Sequence, residues 1–190
     1  MKIKPQNTII IVALESELPA HHLPDWRMIY TGVGKVNASI AASQAIHQYK
    51  PDIMLNYGTA GSLDKTVHGL IEIGEFLERD MDVEALGFAK GLTPFEDDIT
   101  ISFGYDGVRC GTGDQFVTSV PALWTEVVDM EAYALAKSAK AWGCDFRSLK
   151  YISDMADDSA AYDWQANQAL GAEQFINWLN TARHGGDTRT

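Results

Sequence analysis

Carboxylates that follow apolar runs are the residues of this sequence whose type and spacing could do chemistry. The stretch Leu149-Lys150-Tyr151-Ile152-Ser153-Asp154-Met155-Ala156-Asp157-Asp158 passes from apolar to acidic within a few positions. Ligands of open α/β sheets sit outside the C-terminal ends of the strands, so an acid delivered there can serve as proton donor, base or metal ligand. Asp154 or Asp157 can equally do no more than cap a following helix. The same grammar recurs where Thr8 to Ala13 runs into Leu14-Glu15-Ser16-Glu17, and where Val127-Val128-Asp129-Met130-Glu131 precedes a helix. For Glu17 and Glu131 the alternative is an acidic first helical turn that complements the helix dipole. Two glycine-containing stretches join the acids: Asn56-Tyr57-Gly58-Thr59-Ala60-Gly61, where a strand gives way to a loop of small residues that admits a ligand close to the backbone, and Gly111-Thr112-Gly113-Asp114-Gln115-Phe116-Val117.

The elements that must position these groups follow from hydrophobic periodicity. Thr8 to Ala13 is β-branched and apolar throughout, as expected of a central strand covered on both faces. Arg27 to Thr31 reads as a second strand. Gly32-Val33-Gly34-Lys35 then opens a helix with Ala38, Ala41, Ala42, Ala45 and Tyr49 on one face. That Gly-x-Gly has neither the third glycine of a dinucleotide fingerprint nor the spacing of a P-loop, so it reads as a close approach of the backbone to a ligand or a neighbouring loop. Strand patterns recur at Asp52 to Asn56, at Leu70 to Leu77 continuing through Arg79-Asp80-Met81-Asp82-Val83, at Ile99 to Phe103 and at Gly107 to Gly111. Ala132, Leu135, Ala136, Ala139 and Trp142 form the stripe of one helix. Trp164 to Arg183 reads as a single amphipathic helix with Ala172, Phe175, Ile176, Leu179 and Ala182 on its core face, and residues 184–190 as a frayed tail. The pattern predicts one α/β domain over residues 1–190, a central mixed sheet flanked by helices in three layers.

Composition narrows the function classes. The 190 residues, 46% hydrophobic and 22% charged, are ordinary for a globular chain with a sizeable core. A formal net charge of −11 without any basic stripe argues against nucleic acid as a partner. Cys110 and Cys144 form no C-x-x-C and read as buried thiols of a reducing compartment. The apolar run Thr8 to Leu14 is too short to span a membrane and has no cleavage-site pattern, so the expectation is a cytoplasmic protein. None of His21, His22, His47, His68 or His184 stands at ligand spacing to another or to Asp154, Asp157 and Asp158, and neither metal nor cofactor is expected.

Taken together and in order, Ala13-Leu14-Glu15-Ser16-Glu17, Asn56 to Gly61, Asp129-Met130-Glu131 and Ser153-Asp154-Met155-Ala156-Asp157 resemble the nucleoside phosphorylase superfamily, above all its hydrolytic branch, the 5'-methylthioadenosine/S-adenosylhomocysteine nucleosidases. The resemblance runs from about Ile9 to the final helix. It implies that Glu17 activates water, that Asp154 beside Ser153 is the acid at purine N7, and that Met130 and Glu131 hold the ribose. It further implies that Phe116 stacks on the base, that the Val117 backbone reads it, and that Thr59, Ala60 and Gly61 line the same site. Val33 falls in the pocket for the 5' substituent, and Val83, Leu86, Phe88 and Pro94 resemble the loop that a partner subunit lends to that pocket in a homodimer.

Breaking a purine N-glycosidic bond builds positive charge on the sugar and negative charge on the base. An acid at N7 therefore needs a raised pKa, and a second carboxylate can activate water and stabilise the cationic sugar. Asn56 stands where phosphate-dependent relatives carry an arginine, and Glu15 and Glu17 would repel phosphate, so hydrolysis is expected over phosphorolysis. Futalosine hydrolysis, a broader purine nucleosidase and a non-catalytic nucleoside-binding or storage role are the alternatives. The chain also departs from the pattern. The hairpin before Gly32 is reduced, a helix between Pro94 and Val108 is missing, Asp129 replaces a glutamate and Ser62 a glycine.

Overall fold

The structure is a computed structural model, and it describes residues 2–183. The expected tail, residues 184–190, and with it His184, lies outside the described residues. Eight strands and four α-helices are present among those described: β1 (Thr8–Val12), β2 (Arg27–Tyr30), α1 (Lys35–Tyr49), β3 (Ile53–Ser62), β4 (Leu70–Glu78), β5 (Thr100–Ser102), β6 (Val108–Thr112), β7 (Val127–Asp129), α2 (Ala132–Trp142), β8 (Asp145–Asp154), α3 (Ala160–Asn167) and α4 (Ala172–Arg183).

The sheet is mixed. Its order is β2-β1-β3-β7-β6-β4-β5, and β8 bridges β3 and β4, pairing parallel with the first and antiparallel with the second. The pairings β3-β8-β4-β6-β7 return to β3, because Gly61 and Ser62 at its end pair with Val128 and Val127. The long β3 and β8 therefore close a ring of strands, and their C-terminal ends are drawn towards β7. Alternation along β1 serves two cores: Ile9 and Ile11 pack with α1 and α2 on one face, Ile10 and Val12 with α4 on the other. The three-layer α/β architecture is the expected one. No helix among the described residues is long and apolar enough to cross a membrane.

Several local expectations are corrected. The small residues Gly58 to Gly61 do not leave the sheet as a loop, because β8 pairs with β3 along their whole length, with a bulge between Ala60 and Gly61. The extended pattern after β4 does not continue to Val83: Met81 N–H turns back onto the Glu78 carbonyl. Trp142, placed on the core stripe of α2, is 54% exposed, since it lies in the last turn before the left-handed Gly143 ends the helix. The single helix expected from Trp164 to Arg183 is two, α3 and α4. Gly171, which immediately precedes α4, lies against the Tyr151 ring and the Tyr57 hydroxyl so tightly that any Cβ would overlap them. Between Pro94 and Val108 the described structure has β5 and no helix, in line with the shortening read from the sequence.

Candidate active site

The C-terminal ends of β1, β3, β7 and β8 surround a cavity of about 320 Å³ whose walls are mostly apolar. β1 delivers Glu17 through a tight turn closed from both sides. Glu17 N–H donates to the Leu14 carbonyl at 3.1 Å, and Leu14 N–H donates to Glu17 Oε2 at 3.1 Å. The turn folds the side chain back over β3, where Oε1 accepts from Thr59 N–H at 2.9 Å and Thr59 O–H at 2.8 Å. Glu17 is thus a buried, well-bonded acceptor with no helical turn of its own; only a short 3-10 segment, Ala20–His22, follows.

β8 delivers Asp154 as its last residue, opposite Gly61. Gly61 makes the room: a Cβ there would stand 2.7 Å from Asp154 Oδ1. Asp154 Oδ2 accepts from the Ser153 hydroxyl at 2.8 Å and Oδ1 from Ala156 N–H at 2.9 Å, a turn that holds Ala156 at φ +49°. Burial pushes the Asp154 carboxyl above the ordinary Asp range; the Ala156 and Ser153 bonds oppose the shift, and the nearby Asp163 and Asp157 add to it. Asp154 does not cap α3. That turn is held by Asp157, whose Oδ1 accepts from Ser159 N–H and O–H.

The β7–α2 junction supplies two more acids with different partners. Asp129 caps α2, accepting from Ala132 N–H at 2.8 Å, takes the Thr112 hydroxyl at 2.6 Å, and forms an ion pair with Lys150 Nζ at 2.8 Å, both side chains 1% exposed. Burial alone would raise the Asp129 pKa, but the Lys150 ammonium together with the Thr112 and Ala132 bonds outweighs it and holds the carboxylate below its usual range. Burial likewise works against the Lys150 charge, and Asp129 and Glu131 overcome it, so the ammonium is held charged. Glu131 precedes α2 without capping it; its Oε1 accepts from Gly34 N–H at 2.8 Å. Burial, then the Asp129 charge, push Glu131 up to about 7 against the pull of Lys150 and of the Gly34 bond, with Glu17 adding to the rise. Gly34, at φ +96°, is where α1 meets its neighbours: its N–H binds Glu131 and that of Lys35 binds Asp114. The Gly-x-Gly is a junction between loops.

Glu17, Val33, Thr59, Ala60, Gly61, Phe116, Val117, Met130, Glu131, Ser153 and Asp154, all singled out from sequence, line this one cavity. Val83, Leu86, Phe88 and Pro94 do not; they lie on the segment after β4. Asn56 stays inside the sheet, donating to the Ile11 and Tyr57 carbonyls and accepting from Ser148 O–H. Three side chains in or beneath the cavity were not singled out from the sequence. Arg79 lines the cavity and clamps the Phe116 loop, its Nη2 donating to the Gly113 and Gln115 carbonyls. The charged triplet Glu78-Arg79-Asp80 at the end of β4 was its signal. Lys150, a cation set between Leu149 and Tyr151 in β8, signalled a buried acidic partner. Trp164 lines the cavity from α3 and carried no signal in the sequence. Among the described residues no group of three or more His, Cys, Asp or Glu could hold a metal ion.

Comparison with known proteins gives the family and the fold. Residues 26–95 match the family model of the phosphorylase superfamily. A 5'-methylthioadenosine/S-adenosylhomocysteine nucleosidase of Exiguobacterium sp. is 30% identical over 160 residues, spanning 70% of this chain and 69% of the relative. One from Chromohalobacter salexigens is 25% identical over 190 residues, spanning 82% and 80%. The fold is also that of the futalosine hydrolase of Helicobacter pylori, with a TM-score of 0.84 at 22% identity over 94% of this chain and 97% of that one. The chain belongs to the phosphorylase superfamily, among the 5'-methylthioadenosine/S-adenosylhomocysteine nucleosidases.

Proposed function

We propose that this protein hydrolyses the N-glycosidic bond of a purine nucleoside, 5'-methylthioadenosine or S-adenosylhomocysteine, releasing adenine and the ribose derivative. The observation that carries the reading is the pair of carboxyl groups in one cavity: Glu17 held as an acceptor by three donors, and Asp154 pushed up by burial. Enzymes obtain an acid and a base from like groups by giving them unlike surroundings. Water attacks the anomeric carbon as the bond to the purine breaks, and that bond's electron pair leaves on the base. The Asp154 proton goes to N7, and the proton lost by water goes to Glu17. Glu131, ionised above about 7, accepts from the ribose hydroxyls. Met130 forms an apolar wall, Phe116 stacks on the base and the Val117 backbone reads it, on the loop that Arg79 clamps.

Water is the nucleophile in this reading because the Glu17 carboxyl group lines the cavity at the nucleophile's side, where it accepts hydrogen bonds and would repel an anion such as phosphate, and Arg79 has its Nη2 bound to carbonyls. The 5' substituent lies beside Val33, and the segment carrying Val83, Leu86, Phe88 and Pro94 closes that end in the other subunit of a homodimer. The exposure of Leu86 supports this. The two buried free thiols support a reducing, cytoplasmic location. The test is to incubate the protein with methylthioadenosine, S-adenosylhomocysteine, adenosine, inosine and futalosine, with and without phosphate, and to follow free base. Release of adenine from the first two, indifferent to phosphate, is expected. Release of a ribose 1-phosphate would overturn hydrolysis, and binding without cleavage would make the protein a nucleoside carrier or store.

A further inference from the structure

The indole of Trp164 touches the water-activating end of the cavity through a hydrogen bond that fixes the direction of the next one. Trp164 Nε1 lies 3.0 Å from Thr59 Oγ1, which lies 2.8 Å from Glu17 Oε1. An indole N–H can only donate. Thr59 Oγ1 must therefore accept from Trp164, and its own proton points away from the indole, to Glu17. Oε1 also takes Thr59 N–H at 2.9 Å, so the two donors of one residue occupy its two lone pairs. Oε2 takes a single bond, from Leu14 N–H at 3.1 Å, and keeps one acceptor site open.

We propose that Trp164 is a positioning residue for Glu17: by orienting the Thr59 hydroxyl it saturates Oε1 and leaves Oε2 as the oxygen that takes the proton of the attacking water. This rests on the hydrolytic reading above. It gives α3, a helix remote in sequence from Glu17, a defined effect on the base, and it assigns the proton to one oxygen. Without the indole N–H the Thr59 hydroxyl is free to turn, and Oε1 no longer has both of its acceptor sites held filled.

The test compares wild type, Trp164→Phe, Thr59→Val, the double variant and Thr59→Ser on methylthioadenosine. Trp164→Phe keeps an aromatic wall and removes the N–H. Its kcat should fall about five- to tenfold, the size of one lost neutral hydrogen bond, with KM within about twofold. The double variant should be no slower than Thr59→Val, since both break one chain, and Thr59→Ser should retain the sensitivity to Trp164. Unchanged kcat in Trp164→Phe, additive losses in the double variant, or a rise in KM that matches the fall in kcat would overturn the proposal. If wild type cleaves no nucleoside, the hydrolytic reading fails separately. The chain of bonds is then decided by the indole N–H resonance of Trp164, assigned by its disappearance in Trp164→Phe. It should shift in Thr59→Val and in Glu17→Gln, and a resonance indifferent to both overturns the proposal.

Discussion

At the ends of β3, β7 and β8 charged side chains are buried and partnered, whereas along residues 81–99 apolar side chains stand in solvent. Asp129 is 7% and Lys150 1% exposed and they share an ion pair, while Leu86 is 72% and Phe95 93% exposed. Both arrangements run against the usual partition of residues. The first is completed inside the chain: Asp129 and Lys150 pair, Glu17 and Asp154 each have more than one donor, and Glu131, with the single Gly34 bond, is pushed up by burial instead. Among the described residues nothing covers Leu86 or Phe95, and apolar exposure of this kind is what a contact surface would use. The difference teaches that the charges around the cavity find their partners within the chain, while the proposed closure of its Val33 end by residues 81–99 calls for a second copy.

The contrast can be broken at the charged end with the largest effect. Asp154→Asn and Glu17→Gln should each lower kcat for methylthioadenosine about 10²- to 10⁴-fold, measured by adenine release. Because the folded pKa of Asp154 is raised, its ionised form costs stability above the ordinary Asp range. Asp154→Asn should therefore be more stable than wild type in urea at neutral pH, and this advantage should vanish as pH falls below about 4. A loss of stability at neutral pH together with retained activity would remove Asp154 from its role.

Next in size is the ion pair beneath the cavity. Lys150→Met leaves Asp129 buried without its counter-charge and should cost about 3–5 kcal/mol in equilibrium denaturation. Adding Asp129→Asn should recover part of the loss, because the uncompensated charge is then gone. Equal stability of Lys150→Met and wild type would mean that the buried charges are not coupled.

A smaller effect is expected from pH. Glu131 is pushed up to about 7, so a ribonucleoside should bind several-fold more weakly as pH falls from about 8 to about 6 and the acceptor is protonated. The same raised value means that ionised Glu131 destabilises the fold increasingly as pH rises from the usual carboxylate range through 7. Glu131→Gln should flatten the KM profile and gain stability above that pH. A KM profile unchanged by the substitution would place the titration elsewhere.

The smallest effect on folding belongs to the apolar segment. Leu86→Ser should change stability by less than about 0.5 kcal/mol, since the side chain is exposed. It should nevertheless weaken self-association in sedimentation and raise KM for substrates with a bulky 5' group more than for adenosine. If assembly and KM are both untouched, residues 81–99 are not the contact that completes the cavity.

How much was legible in the sequence depended on the range over which each decision is made. The strands could be read because β-branched runs such as Thr8 to Val12 have one stable use, and the carboxylates at their ends because a charge ending an apolar run is visible in one dimension. Where two local uses of a residue compete, the sequence left both open. Glu131 and Asp129 are both suited to cap α2, and only the tertiary structure gives that bond to Asp129 and turns Glu131 to Gly34. The break between α3 and α4 was hidden because Gly171 is needed for its closeness to Tyr151 and Tyr57, a contact across the fold that leaves periodicity intact.

The sequence by itself determined the α/β class, the order of the site segments and the kinds of group they carry, since those follow from local pattern and strand-end chemistry. Only the tertiary structure decided which acid is paired, which is pushed up by burial and which is saturated by donors. Protonation and orientation depend on neighbours that meet only when the strands close their ring: Lys150 against Asp129, Gly61 beside Asp154, and Trp164 reaching Glu17 through Thr59.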